Sequence, residues 1–283
     1  MADVIAVDVG GTKLAAGLVR PDGTLAARLV APTPARGDAD GLFATLTGLI
    51  DALDVSSCVA VGVGCGGPMD ANGEHVSPLN IPAWRAFPLR ARLAAHTGLP
   101  VWVDNDAKAL ALGEGWIGAA RDRRDYIGMV VSTGVGGGIV LDGSLLDGAG
   151  GNAGHIGHVI VEPDGHECPC GARGCLEAEA SGSAIARITG APPAEASLEV
   201  RGRTGTLVGR AVASVAYLLD LPLAVVSGSV ALGFGEPFFA AAQRELDASC
   251  RLDFSRGTQI VPGALGPDGP LIGAAMVALQ HLK

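Results

Sequence analysis

Short apolar runs punctuated by glycine dominate the start of the chain. Val4 to Val9 is a β-run followed by Gly10-Gly11-Thr12-Lys13; Leu14 to Val19 is a second, ending at the turn Pro21-Asp22-Gly23, and Leu25 to Val30 a third. Runs of this length, rich in β-branched residues and bounded by Gly, Pro and Asp, predict strands joined by tight turns. The period then changes. Leu42, Phe43, Leu46, Leu49, Ile50 and Leu53 recur at spacings of three and four, which puts them on one face of a helix. Val59 to Val63 predicts a buried strand and Leu89 to His96 a helix. Val101 to Val103 predicts a strand that runs into Asp104-Asn105-Asp106, with a helix from Ala107 to Leu112 behind it.

The opening theme returns in the middle of the chain. Tyr126 to Val131 reads as a strand, Ser132-Thr133-Gly134-Val135-Gly136-Gly137-Gly138 as a glycine-rich bend, Ile139 to Leu141 as a strand and Asp142-Gly143 as a turn. Strand, glycine bend, strand and turn thus occur twice in one order, as a duplicated α/β fold would show. A largely helical region reaches Leu219, the strand Leu223 to Val226 follows, and a final helix spans 271–282. The expected boundary lies near residue 108, giving domains 1–108 and 109–283, with the last helix returning to the first.

Composition narrows the class. The 283 residues are 48% hydrophobic with 43 glycines, which suits an α/β protein with many tight loops. A formal charge of −9 disfavours a nucleic-acid partner, since a phosphate backbone needs a basic face. The longest apolar stretch, Val212 to Val226, is broken by Asp220 and Pro222 and is too short to span a membrane. The N-terminal stretch lacks a basic targeting region, so the expected compartment is the cytoplasm.

Cysteine placement carries the most specific chemistry. Cys168, Cys170 and Cys175 fall close together, with His158 ten positions upstream of the first. Three thiolates and one imidazole complete a tetrahedral set for structural zinc, a closed site that leaves no position for substrate. The alternative is three reduced cysteines on an irregular loop. The loop, 155–177, also bears His155 and Glu177, both able to face a polar ligand.

The two glycine bends suit phosphate, because glycine lets backbone N–H groups approach an anion closely. Neither has Walker or dinucleotide spacing. Asp8 precedes the first bend and suits Mg2+ held through water. Asp106 reads equally as a helix N-cap or as a general base at the carboxyl end of a strand. Asn105 beside it suits a hydroxyl.

Taken together, Asp8-Val9-Gly10-Gly11-Thr12-Lys13, Asn105-Asp106-Ala107, Ser132 to Gly138, Gly157-His158 and Cys168-Pro169-Cys170-Gly171-Ala172-Arg173-Gly174-Cys175-Leu176-Glu177 resemble the ROK family (repressors, open reading frames and sugar kinases) over nearly the whole chain. The resemblance implies the duplicated actin-like ATPase fold, related to ribonuclease H, with sugar and ATP bound in a cleft between two domains. It implies that Asp106 is the base for a sugar 6-hydroxyl, with Gly67, Asn80, Asn105, His155, His158 and Glu177 around the sugar. It places Asp8, Gly10, Gly11, Thr12, Lys13, Thr133, Gly134, Gly136 and Gly137 at the ATP phosphates and magnesium, and Gly228 and Ser229 by the adenosine. Cys168, Cys170, Cys175 and His158 become the zinc ligands, and a homodimer is the expected assembly.

His155 departs from the pattern of the family's glucokinases, which have Glu there in a Glu-x-Gly-His motif. Neutral imidazole offers one donor and one acceptor, so it cannot replace a carboxylate that accepts from two hydroxyls. The His-Ile-Gly-His form resembles the family's N-acetylmannosamine kinases, and a donor at this place suits an acetamido carbonyl. The expectation is therefore an N-acetylmannosamine 6-kinase, with glucokinase as the alternative and a non-catalytic sugar-binding or regulatory protein of the same family as the alternative of another class. A repressor needs a DNA-binding segment ahead of Asp8, where this sequence has seven residues, and the acidic charge also speaks against one. Trp84 reads as packing. Cys58, Cys65 and Cys250 read as small buried hydrophobes, and His75, His96, His166 and His281 carry no expected role.

Overall fold

The computed structural model describes residues 2–34 and 37–282. Contacts gather the chain into two units. One comprises the residues up to Ile117, with Asp147–Ala153 and the residues from Pro267 on; the other comprises Gly118–Leu146 and Gly154–Gly266.

The first unit is built on β1 (Asp3–Val9), β2 (Lys13–Val19), β3 (Leu25–Pro32), β4 (Cys58–Cys65) and β5 (Val101–Asn105), in the order β3-β2-β1-β4-β5. The first three strands form an antiparallel meander, and β4 and β5 run parallel to β1. Parallel strands need crossovers, which α1 (Ala39–Asp51) and α2 (Leu89–Thr97) supply. Asp38 starts α1 by accepting the Gly41 N–H at 2.7 Å, and Gly98 ends α2 in the left-handed conformation. Leu42, Phe43, Leu46 and Ile50 of α1 pack with Leu89 and Leu93 of α2 on one side of the sheet.

Val4, Ala6, Ala15 and Ala60 point to the other side, where Leu271, Ala274, Ala275 and Ala278 of the last helix cover them. That helix, Gly269–Leu279, comes so close that a Cβ at Gly62 would strike the Ala274 carbonyl. The helix that follows β5, α3 (Asp106–Ile117), packs on it at Gly273, again with no room for a side chain. The unit division therefore falls after α3, at 117/118, and not near 108, because α3 packs as one piece on β4 and the last helix.

The second unit repeats the plan. Its strands β6 (Tyr126–Val131), β7 (Val135–Leu141), β8 (Ser144–Leu145), β9 (Leu223–Ser227) and β10 (Gln259–Pro262) stand in the order β10-β9-β6-β7-β8. Read from the other edge this is the first sheet's order: a meander of three, then two parallel strands. Helices α4 (Leu176–Ala180), α5 (Gly182–Thr189) and α6 (Leu198–Leu219) lie between β8 and β9, and α7 (Ser229–Phe234) and α8 (Glu236–Ser249) between β9 and β10; the last helix is α9. Leu207, Val208, Ala211 and Val212 of α6 form one core with Phe238, Ala242 and Leu246 of α8 and with Met129, Val131, Ala224 and Val226 of the sheet.

One expected element changes character. The bend at Ser132 to Gly138 is short, confined to Ser132–Gly134, and β7 begins at Val135. Gly136 and Gly137, expected in the phosphate bend, are paired with Val130 and Met129 in the ladder. A Cβ at Gly137 would press on Ile156 at 3.1 Å and on the Gly154 carbonyl at 3.2 Å. Its glycine answers a packing demand.

Candidate active site

In the first unit the carboxyl ends of β1, β4 and β5 carry the expected residues. Asp106 opens α3 at the end of β5, and its Oδ1 accepts the Ala107 N–H at 2.8 Å. Asn105 shares the capping: its Oδ1 accepts from Ala107 at 3.0 Å and Lys108 at 3.4 Å. A side chain at Gly66 would come within 4.0 Å of Asp106 Oδ2, and one at Gly67 within 3.4 Å of Asn105 Nδ2. Gly67, Asn105 and Asp106 therefore lie together. Asn80 joins the glycine turn, since a Cβ at Gly11 would sit 2.5 Å from the Asn80 Cβ.

Asp8 lies beneath that turn, paired in register with Gly64 of β4, whose own face meets the Asp106 Cα. Burial first, then the Asp106 carboxylate, push Asp8 up to about 7, against the lowering influence of Lys13 and Arg28. The same burial, with Asp106 and Asp8 nearby, holds the Cys65 thiol well above its ordinary range. The turn itself is closed by Gly10 N–H to the Lys13 carbonyl at 3.0 Å, and Thr33 Oγ1 donates to the Gly10 carbonyl at 2.6 Å. Gly11 and Thr12 are exposed at its tip. A buried carboxyl at this height fits a hydrated magnesium ion, whose charge would favour its ionised form.

Lys108 gave no signal in the sequence, yet its side chain is 2% exposed. Its Nζ lies 2.7 Å from Asp147 Oδ1, 3.3 Å from Asp104 Oδ1 and 3.2 Å from the Gly151 carbonyl. It ties the short Asp147–Ala153 segment to the helix that begins with Asp106.

In the second unit, Ser132–Gly134 is held by the starts of α5 and α7. The Gly182 N–H donates to the Ser132 carbonyl at 2.7 Å, and Ser183 Oγ donates to the Thr133 carbonyl at 2.9 Å. The hydroxyls of Ser132 and Ser229 lie 2.9 Å apart. Gly228, with φ of 101°, fits where a Cβ would strike the Val131 carbonyl. Glu177 reaches the same bend: its Oε2 accepts the Val135 N–H at 3.0 Å and would lie 2.9 Å from a Cβ at Gly134.

The cysteine loop follows β8. Cys168 N–H donates to the Ala172 carbonyl at 2.8 Å and Gly171 N–H to the Cys168 carbonyl at 2.9 Å, a tight turn that points thiols inward. One ligand atom from each of His158, Cys168, Cys170 and Cys175 lies within 4.8 Å of all the others. Cys170 and Cys175 sulfurs are 3.7 Å apart, and His158 Nδ1 is 3.8 Å from the Cys168 sulfur. Zinc–sulfur bonds of about 2.3 Å at tetrahedral angles give an edge of about 3.8 Å. Burial and the two neighbouring thiols push Cys175 up to about 12, a crowding that a divalent cation relieves by taking the thiolate form. The donor set and its spacing fit zinc. His155 is exposed, and its ring lies 6.0 Å from that of His158 at 24° between planes.

His166 of this loop, for which the sequence suggested nothing, bonds the buried Glu179 of α4, and Arg203 of α6 closes on that carboxylate. Among the remaining histidines, His75 pairs with Asp70 and His96 with Asp51 at the surface. Trp84 is fully buried and stacks on Phe87 at 4.4 Å. Cys58, Cys65 and Cys250 are buried.

Two five-stranded sheets of one topology, each with a glycine turn after its first strand and helices between the parallel strands, define the actin-like ATPase fold. The chain belongs to the ROK family, whose sequence profile matches residues 4–281. It is 31% identical to a glucokinase of Thermotoga maritima, covering 99% of this chain and 98% of the relative. It is 37% identical to an N-acetylmannosamine kinase of Citrobacter koseri, covering 82% and 84%. Among solved structures, a ROK family glucokinase from Streptomyces griseus in complex with glucose and AMPPNP superimposes with a TM-score of 0.86 at 30% identity, covering 98% of this chain and 99% of that one.

Proposed function

We propose that this chain is an ATP-dependent sugar kinase that transfers the γ-phosphoryl group to the 6-hydroxyl of N-acetylmannosamine. Kinase chemistry is supported by the coincidence of Asp106 with Asn105 and Gly67 at the strand ends, and by relatives with kinase names across almost the whole chain. Phosphoryl transfer demands positioning, charge neutralisation and one group to take the hydroxyl proton. Asp106 accepts that proton as the sugar oxygen bonds to the γ-phosphorus, while the bond from that phosphorus to the bridging oxygen breaks and ADP leaves. The Ala107 N–H holds the Asp106 carboxylate before substrate arrives, and Asn105 caps the helix that Asp106 opens. The backbone N–H groups of Gly11 and Thr12 at the first turn, and those of Thr133 and Gly134 at the second, are the donors this reading assigns to the phosphates, with Gly228 and Ser229 assigned to the nucleoside. Magnesium near Asp8 offsets phosphate charge when bound. Zinc on Cys168, Cys170, Cys175 and His158 holds the loop and takes no part in transfer.

The observation that carries the choice of sugar is His155. It is exposed beside a ring committed to the cysteine cluster, and it offers a donor where a glucose site needs a second acceptor. The test is ADP release with Mg-ATP against N-acetylmannosamine, N-acetylglucosamine, mannose and glucose. The expected result is a kcat/KM for N-acetylmannosamine at least tenfold above the rest, about 1.4 kcal/mol of transition-state discrimination. His155→Glu should then shift preference toward glucose. A wild-type preference for glucose overturns the choice of sugar and keeps the kinase, the reading that the Thermotoga maritima and Streptomyces griseus relatives favour. No turnover with retained sugar binding overturns both.

A further inference from the structure

Glu179 has no part in the chemistry above, yet it is the most heavily engaged carboxylate of the second unit. Its side chain is 0% exposed. Oε1 accepts the His166 backbone N–H at 2.5 Å and meets His166 Nδ1 at 2.9 Å. Oε2 accepts from Arg203 NH2 at 2.6 Å, and the Glu179 carbonyl accepts from Arg203 NH1 at 3.3 Å. Gly165 leaves the space for this approach, since a Cβ there would collide with Oε1. Hydrogen bonds from His166 and Arg203 outweigh the cost of burial and hold the carboxyl below its usual range.

The placement of these partners matters. His166 stands two residues before Cys168, on the arm that enters the cysteine turn, and its carbonyl accepts the Gly174 N–H at 2.8 Å, one residue before Cys175. Glu179 itself sits on α4, which starts directly after Cys175. One buried side chain thus joins the loop's entry, its exit and α6. We propose that Glu179 is a positioning residue for the Cys3His centre: it ties both arms of the loop together, so that zinc is retained by a loop already closed. This rests on the zinc reading of His158, Cys168, Cys170 and Cys175.

The test is the rate of zinc loss to a chromogenic chelator, followed on full-length wild type, Glu179→Gln and Val212→Ala after purification with zinc. Glu179→Gln keeps the shape and removes the charge that Arg203 and His166 require. It should lose zinc about tenfold faster or more, as outer groups that orient metal ligands commonly do. Val212→Ala trims a residue in the core of α6, 1% exposed, and serves as the control for general loss of stability. It should melt earlier than wild type and release zinc at the wild-type rate. Zinc release from Glu179→Gln at the wild-type rate overturns the positioning role, as does equal acceleration in Val212→Ala. Wild type that holds no zinc after reconstitution overturns the metal reading and the proposal with it.

Discussion

The turns after β1 and β6 occupy the same place in two sheets of one topology, and they are secured by different means. Gly10 to Lys13 closes on its own backbone, with Thr33 as its one side-chain brace described above. Ser132 to Gly134 is held from outside, by Glu177 and by the starts of α5 and α7. The hairpin registers match Asp8 opposite Ala15 with Val130 opposite Gly136, so the residue under one turn is a buried carboxyl and under the other a valine. The third strands differ as well. β3 has 8 residues and β8 has 2, after which the chain turns away toward the cysteine loop. Duplication preserved the backbone plan. Ionisable groups are distributed unequally, with Asp106, the proposed base, and the buried Asp8 in one copy and the cysteine loop in the other.

The sharpest way to break this division is Asp106→Asn. If the transfer base resides in the first copy alone, kcat falls about 10²–10⁴-fold while sugar affinity, measured by calorimetry, is kept. Unchanged kcat would sink the assignment. Next is the buried acid. Asp8 titrates near 7 in the folded chain and near 3.8 when unfolded, so the folded state holds the extra proton between these values. Wild type should therefore lose stability as pH rises from about 4 to about 7, by up to about 4 kcal/mol for a shift of this size. Asp8→Asn removes the titration. Urea unfolding without nucleotide or magnesium should show the variant more stable at pH 8 and the two converging near pH 4. The reverse order at pH 8 would show that Lys13 and Arg28 outweigh burial.

Lys108→Met removes the cation between Asp104 and Asp147. Loss of one partner from a buried pair costs about 3–5 kcal/mol, and the low end applies because Asp147 is 70% exposed and can rehydrate. Denaturant midpoints check this, and a midpoint equal to wild type would show that the pair does not hold the segment. The smallest effect belongs to the second turn. Ser229→Ala deletes one hydroxyl contact with Ser132, worth about 1 kcal/mol. A rise in KM for ATP with kcat unchanged would connect this turn to nucleotide binding, and a change in kcat alone would not.

What the sequence disclosed depended on how local each signal was. The β1–β2 and β6–β7 hairpins were legible because turn residues sit beside apolar runs, and the cysteine cluster because its thiols are close in sequence. The start of β7 was misread: Gly136 and Gly137 look like part of a glycine-rich bend, but both pair in the ladder, and the small size of Gly137 serves contacts with Ile156 and Gly154 that no local pattern announces. Lys108 and Asp147 are 39 residues apart, and Glu179 lies 13 from His166 and 24 from Arg203. Long-range ion pairs between ordinary surface residue types leave no mark in one sequence. Asn105 was read as a hydroxyl binder, and its capping of α3 followed only once the strand end was placed.

The packing of α9 on the first sheet sets a schedule for synthesis. The strands that α9 covers emerge from the ribosome early, and the helix that shields Val4, Ala6 and Ala60 is made after every residue of the second unit. The first unit is thus the first to begin and the last to be completed, contrary to the usual order in which an N-terminal domain finishes before the next starts. During that interval a face of small apolar residues awaits its cover. A chain ending at Gly266, tethered to the ribosome by a linker long enough to clear the exit tunnel, should present a protease-resistant second unit while its first is still open to chaperones.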